Sequence, residues 1–167
     1  MIKLNIFKNI STLGPIGYLP APGTWASMIT LVIIYWLHLL HISTYAYALF
    51  IFLSCIVAWY AVVYSLDYFR TRASHRQMGK NWGLNHDPSE IIIDEVVGCL
   101  ITFFMVPLTI KSMIFGFILF RFFDIFKPCG LKMLEGMGGA WGILLDDIGA
   151  GILSNLILQV LLYTGIL

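Results

Sequence analysis

The chain has 167 residues, of which 59% are hydrophobic and only 11% are charged, and its formal net charge is +1. Soluble globular domains are typically about 45–50% apolar and about 25% charged, so this composition excludes that class and indicates an integral membrane protein. The length fits a single domain, and the small net charge gives no reason to expect nucleic acid as a partner.

Five apolar segments approach or reach the roughly 20 helical residues that cross a bilayer. In chain order they cover residues 24–42, 45–66, 91–110, 112–126 and 143–163. The third and fourth are short once their charged residues are excluded, so a hairpin entering from one side is the alternative for this pair. The sequence therefore predicts an all-α, polytopic bundle of about five membrane helices that forms one membrane domain, residues 1–167.

Three segments outside the spans differ from them in composition. Residues 1–23 are a Gly/Pro-rich N-terminal segment, residues 67–90 a basic loop, and residues 127–142 a Gly-rich loop. Within the basic loop, residues 87–90 have the order of a helix start, with Asp87 as the N-cap.

Lysine and arginine residues predict the orientation of the chain. With five spans and a cytoplasmic N-terminus, nine of the ten basic residues lie on the cytoplasmic side and Lys111 alone lies outside. This distribution follows the positive-inside rule, which compares lysine and arginine in the loops. The N-terminal segment, the basic loop and the Gly-rich loop are therefore expected to be cytoplasmic.

Five of the nine acidic residues reach one depth in this topology. Asp94 and Glu95 open the third span, Asp124 closes the fourth, and Asp146 and Asp147 open the fifth. A carboxylate in hydrocarbon costs about 2.5–3.5 kcal/mol on insertion scales, and grouped carboxylates also repel one another unless a cation lies among them. Oxygen ligands suit a hard ion such as Mg²⁺ or Mn²⁺, so these five acids are the candidate metal ligands and catalytic groups.

Small residues follow the acids at helical spacing. Gly98 lies four residues after Asp94, and Gly149 and Gly151 follow the aspartate pair of the last span. Small residues allow membrane helices to approach closely, so we expect neighbouring helices to meet beside the acids.

Two groups of residues could bind the phosphate of an anionic substrate. Arg121, Asp124 and Lys127 are spaced i, i+3 and i+6 along one side of a helix, with an intrahelical salt bridge as the alternative interpretation. Thr24 and Ser27 lie at a helix start, where free backbone N–H groups favour an anion, although an ordinary N-cap would have the same pattern.

Four motifs, in this order, resemble the phosphatidylglycerophosphatase A family. They are APGTWAS (21–27), DPSEIIIDEVVG (87–98), FRFFDIFKP (120–128) and GAWGILLDDIGAG (139–151). The resemblance implies a bacterial, multi-pass inner-membrane enzyme, a Mg²⁺-dependent phosphoric monoester hydrolase with a cytoplasmic site and phosphatidylglycerophosphate as its substrate. The five acids match the family's acidic positions, Arg121 and Lys127 its basic positions, and Thr24 and Ser27 its N-terminal motif.

The expected mechanism places Mg²⁺ among some of the five acids, with the cations and the Thr24/Ser27 region stabilising the phosphate oxygens. A carboxylate without a metal bond would act as general base, and an aspartyl-phosphate intermediate is the open alternative. An ion- or proton-coupled transporter is the alternative function. Transporters usually place their acids near the midplane and contain internal repeats, whereas these acids lie at span ends. The sequence does not indicate the oligomeric state.

Overall fold

The computed structural model describes residues 2–76, 89–128 and 130–167, and these ranges are helical with no strand among them. Seven α-helices and one short 3₁₀ helix, Ile16–Tyr18, make up the described chain. The α-helices are α1 (Ile2–Ser11), α2 (Pro22–Leu39), α3 (Thr44–Arg76), α4 (Ile93–Thr102), α5 (Ile110–Phe126), α6 (Leu131–Glu135) and α7 (Gly139–Tyr163). The helix start predicted at Asp87 lies outside the described residues.

Three of these helices are long and apolar enough to cross a membrane: α2, α3 over Thr44–Phe69, and α7. Large apolar side chains on their outer faces are exposed, among them Trp36, Phe52 and Val160, as expected for surfaces in contact with lipid. The ten residues of α4 rise only about 15 Å and the 17 residues of α5 about 25 Å, against a hydrocarbon core of about 30 Å. The all-helical membrane architecture is thus confirmed with three candidate spans, while five crossings stay a prediction.

The connection between α4 and α5 lies beside the turn between α2 and α3. Val106 and Leu108 of the connection line a cavity of about 170 Å³ together with His38 of α2 and Thr44 of α3. The acids of α4 and α5 lie at the other ends of those two helices. The pair therefore reaches from the acid-bearing end of the bundle to the α2–α3 turn, although α4 stops partway.

A side chain from α7 accounts for the early end of α4. The Asn155 side-chain amide donates hydrogen bonds to the carbonyl oxygens of Thr102 (2.9 Å) and Phe104 (2.8 Å). The last carbonyls of a helix have no partner within it, and an unsatisfied carbonyl is costly away from water. Asn155 supplies that partner, so the backbone can leave the helix inside the bundle.

Helix α1 is an element that the sequence pattern does not predict within residues 1–23. It packs on α3, where the ring of Phe7 stacks on Tyr64 with centroids 4.7 Å apart and Lys8 Nζ lies 5.2 Å from the centre of the Tyr68 ring. A ten-residue helix is marginal by itself in water, so its formation depends on this tertiary contact. Helix α3 also continues to Arg76, well into the predicted basic loop.

Helix α7 packs against α3, α4, α5 and α6, and its glycines determine how closely two of them approach. A methyl group at Gly151 would overlap the backbone of Gly98, and one at Gly98 would lie 2.6 Å from the carbonyl oxygen of Asp147. Close helix contact beside the acids is therefore confirmed for α4 and α7. Gly149 serves a different neighbour, since a methyl group there would meet the side chains of Leu131 and Leu134 in α6.

We expect Gly151→Ala to destabilise the protein by about 1–3 kcal/mol, because backbone atoms of α4 cannot yield to the added methyl group. Gly149→Ala is the matched control in the same helix. It meets only the ends of leucine side chains and gains helix propensity, so it should be nearly neutral. Thermal unfolding of both variants in one detergent measures the difference, and equal stabilities would contradict the proposed backbone contact.

The position of the α4–α5 connection predicts that Lys111 lies on the opposite side of the membrane from α6. In a variant without native cysteines, Lys111→Cys and Ser43→Cys should react from the same side with an impermeant maleimide in intact spheroplasts. Lys132→Cys should react only after the membrane is opened. All three positions are exposed in the structure. If Lys111→Cys, like Lys132→Cys, reacts only after the membrane is opened, α4 and α5 form a hairpin that enters and leaves the membrane from one side.

Candidate active site

Three carboxylates meet where α4 and α7 pack together. Asp94 and Glu95 lie in the first turn of α4, and Asp147 lies in α7 one turn before Gly151. One oxygen from each residue lies within 4.8 Å of the corresponding oxygens of the other two. Asp94 and Asp147 are 8% and 3% exposed, and Glu95 is partly buried. We call these three residues the acid trio.

The acid trio contains carboxylate oxygens without a hydrogen-bond partner. Asp94 Oδ1 and Glu95 Oε2 are buried and accept no hydrogen bond within the described structure. Buried polar atoms are normally paired, and neighbouring carboxylates repel each other. A divalent cation would provide both the missing partner and the missing charge, and a set of carboxylate oxygens suits Mg²⁺ or Mn²⁺. The residues present therefore fit the metal that the sequence resemblance implies.

The other two predicted acids are each paired with a cation. Arg121 Nη1 lies 2.5 Å from Asp124 Oδ2, and Lys127 Nζ lies 2.5 Å from Asp146 Oδ2. Asp146 directly precedes Asp147 in α7, and Asp124 lies near the end of α5, which packs on α7, so the five acids form one cluster at this end of the bundle. Among the described residues, the acid trio is the set whose spacing suits a single metal ion.

The i, i+3, i+6 spacing predicts that Lys127 lies on the same side of one helix as Arg121 and Asp124, but Lys127 lies beyond the end of that helix. Helix α5 ends at Phe126, and Lys127 is its C-cap in the left-handed conformation with φ 46°. Its side chain consequently contacts Asp146 of α7, whereas Arg121 and Asp124 form an i, i+3 salt bridge within α5. The intrahelical salt bridge is therefore present, and the second cation belongs to a contact between helices.

Arg121 retains N–H groups without a hydrogen-bond acceptor. Its side chain is 17% exposed, and neither Nε nor Nη1 makes a hydrogen bond with the part of the chain that the structure describes, although Nη1 is at ion-pair distance from Asp124. A guanidinium is a rigid fork of donors that matches phosphate oxygens in a bidentate manner. The unmatched donors thus suit an anionic ligand next to the acid trio.

The N-terminus of α2 reaches the cluster through Gly23. A methyl group there would overlap Glu95 Oε1 and lie 3.0 Å from Arg121 Nη1, so backbone of α2 approaches both charged groups. The N-cap is Ala21, which provides no side-chain cap, and the N–H groups of Thr24 and Trp25 donate to the Ala21 carbonyl oxygen. The sequence pattern predicts an anion site at this helix start. It places the beginning of the regular helix after Gly23, whereas α2 begins at Pro22.

Thr24 and Ser27 differ in their relation to the cluster. Thr24 directly follows Gly23 and is partly buried, so it lies in the turn of α2 that approaches Glu95. The hydroxyl of Ser27 is fully buried and donates a hydrogen bond to the Gly23 carbonyl oxygen at 2.8 Å. Thr24 therefore lies next to the backbone that approaches Glu95, whereas the hydroxyl of Ser27 is used within α2.

Gly23 is a residue of the site that the sequence pattern does not identify. Proline is favoured at the first position of a helix, so Pro22 could have been recognised as part of α2. A glycine in the next position then offers the closest possible approach of backbone to a neighbouring charged group.

Comparison with known proteins agrees with this arrangement. A family model described as Phosphatidylglycerophosphatase A matches residues 9–162, a range that contains the whole acid cluster. The chain belongs to this family. The family name describes a phosphoric monoester hydrolase, and the resemblance inferred from the four motifs is confirmed.

Three relatives illustrate the similarity. A Haemophilus influenzae phosphatidylglycerophosphatase A is 30% identical over 176 aligned positions that cover 98% of each chain. An Escherichia coli phosphatidylglycerophosphatase A is 35% identical over 47% of this chain and 46% of its own. A Bacteroides thetaiotaomicron protein provisionally named phosphatidylinositol-3-phosphatase is 39% identical over 47% of this chain, and the match spans half of that protein. No solved structure matches the chain.

We expect Gly23→Ala to weaken binding of a divalent cation by about tenfold or more, because its methyl group would displace the Glu95 carboxylate. Calorimetric titration of the purified protein with Mn²⁺ measures the affinity, and Gly149→Ala serves as a glycine-to-alanine control away from the carboxylates. Unchanged Mn²⁺ affinity in Gly23→Ala would show that α2 does not constrain the acid trio.

Proposed function

We propose that this protein is a Mg²⁺-dependent phosphatase that hydrolyses the terminal phosphate monoester of phosphatidylglycerophosphate to phosphatidylglycerol and phosphate. One observation supports the reaction class: among the described residues, buried carboxylate oxygens without a donor occur in the same cluster as guanidinium N–H groups without a hydrogen-bond acceptor. The carboxylate oxygens suit a cation and the guanidinium N–H groups suit an anion, so a metal ion bound together with a phosphate would satisfy both kinds of group. Family membership and the names of the Haemophilus and Escherichia relatives support the choice of substrate.

In this proposal Asp94, Glu95 and Asp147 hold the metal. When bound, a hard divalent cation supplies Lewis-acid polarisation and charge neutralisation at the phosphate. Arg121 donates through Nε to a phosphate oxygen, and Lys127 adds a second positive charge at the site. The uncapped start of α2 contributes further positive potential beside Glu95 and Arg121.

Hydrolysis requires a proton acceptor and a proton donor. Water oxygen bonds to phosphorus while the bond between phosphorus and the glycerol oxygen breaks, giving inorganic phosphate and a lipid alcohol. A carboxylate of the cluster takes the proton of the water and returns a proton to the leaving oxygen. Preorganised cations stabilise the charge on the phosphate oxygens during this step, which is commonly the largest catalytic contribution.

The position of the acids suits a lipid substrate better than a transported ion. They lie at the start of α4, the end of α5 and near the start of α7, which places them towards one end of the bundle. A phospholipid phosphate lies at the interface, whereas transporter acids usually lie near the midplane. The positive-inside pattern supports a site on the cytoplasmic face of the bacterial inner membrane, with the N-terminal segment and both loops on that side.

The reaction class is tested by phosphate release from phosphatidylglycerophosphate by purified protein in detergent. We expect release with Mg²⁺, loss with EDTA and recovery when Mg²⁺ is restored. Asp147→Asn should lower the rate by about 100-fold or more, since even residues that only orient metal ligands contribute about 10–100-fold. Asp67→Asn changes an exposed aspartate of α3 in the same way and should keep the activity.

Phosphatidylinositol 3-phosphate is the comparison substrate, because one relative carries that name. Faster release from it than from phosphatidylglycerophosphate would overturn the substrate assignment while leaving the reaction class. Full activity in a folded Asp147→Asn protein would overturn the proposed site.

A further inference from the structure

We infer that Asp124 and Asp146 are positioning residues that hold Arg121 and Lys127 for the phosphate, and that neither ligates the metal. The inference rests on the proposed function. It divides the five acids, which the sequence treats as one set of candidate ligands, into the acid trio that binds a cation and two carboxylates that act through basic side chains.

The hydrogen bonds of Asp146 provide the first argument. Its Oδ2 accepts from Lys127 Nζ at 2.5 Å, and its Oδ1 accepts from the backbone N–H of Asp147 at 3.0 Å. Both oxygens of this carboxylate therefore already have donors. By contrast, Asp94 Oδ1 and Glu95 Oε2 in the acid trio are buried and have no donor from residues 2–76, 89–128 and 130–167.

Helix geometry explains why two consecutive aspartates have different roles. Neighbouring residues of an α-helix point about 100° apart, so one helix cannot direct both side chains to the same point. Asp147 points to the first turn of α4, where it meets Asp94 and Glu95. Asp146 points to the end of α5, where it meets Lys127.

The side chains of Arg121 and Lys127 are long and flexible, so each charged group needs an ion-pair partner to hold it in one place. Lys127 follows the last residue of α5 and has left-handed backbone, so the helix itself does not direct its side chain. An ion pair restricts a flexible ammonium or guanidinium group to one region, which prepares it to meet a phosphate. The Arg121–Asp124 pair leaves Nε of Arg121 without an acceptor within the described chain, so a donor remains for the ligand.

Charge balance leads to the same division. Each ion pair sums to zero, so the negative charge without compensation belongs to the acid trio. The side chains of Arg121 and Lys127 are 17% and 19% exposed, although Arg121 Nε and Nη1 are themselves buried, and the residues Asp94 and Asp147 are 8% and 3% exposed. A metal at the acid trio would therefore lie deeper than the exposed parts of the two basic side chains, past which a phosphate can approach.

Titration of the purified protein in detergent with Mn²⁺ tests the division without measuring turnover. We expect Asp94→Asn and Asp147→Asn to weaken Mn²⁺ binding at least tenfold. Asp124→Asn and Asp146→Asn should remain within about threefold of the unchanged protein, as should the exposed control Asp67→Asn. A loss in Asp124→Asn or Asp146→Asn as large as that in Asp147→Asn would overturn the inference. Absence of Mn²⁺ binding by the unchanged protein would also overturn it.

A second measurement separates positioning from general damage to the fold. Binding of inorganic phosphate to the Mn²⁺-loaded protein should weaken about tenfold in Asp146→Asn, and Asp146→Glu, which keeps the negative charge, should restore most of the affinity. Unchanged phosphate affinity in Asp146→Asn would contradict a positioning role. If the binding pattern holds but no phosphate is released from phosphatidylglycerophosphate, the division of the acids stands and the proposed function fails.

Discussion

The close contact of α4 and α7 at Gly98 and Gly151 is the constraint on which the site depends. Asp94 precedes Gly98 by four residues and Asp147 precedes Gly151 by four, so each acid lies about one turn from the point where the two backbones touch. Association of helices in a membrane gains little from the hydrophobic effect and depends on close packing of small residues. The same contact that joins the helices therefore brings the carboxylates to one place.

Electrostatics then determines what such a cluster must contain. Five carboxylates that are largely removed from water repel one another and cannot all remain charged without compensation. Arg121 and Lys127 compensate two of them within the protein, and the unmatched oxygens of the acid trio leave a place for a cation. Conversely, Arg121 keeps donors for an anion. The site is thus incomplete in two complementary ways, which is the arrangement expected where a metal and a phosphate meet.

Breaks in regular structure also serve the site. Helix α4 can stop after ten residues because the side-chain amide of Asn155 donates hydrogen bonds to the carbonyl oxygens of Thr102 and Phe104. Helix α5 ends at Phe126, and the next residue, Lys127, contacts Asp146 of α7. At the start of α2, Gly23 permits backbone to approach Glu95. Each of these features depends on a contact between residues far apart in the chain.

The sequence by itself determined the membrane class, the helical architecture and the family, and it predicted that five acids lie at one end of the bundle. Hydropathy, helical spacing and motif order are local properties, and they survive whatever packing the helices adopt. Only the tertiary structure decided that Asp146 pairs with Lys127 while Asp147 joins Asp94 and Glu95, because adjacent residues on one helix point to different neighbours. It also decided the short α4 and the presence of α1, since both depend on partners supplied by other helices.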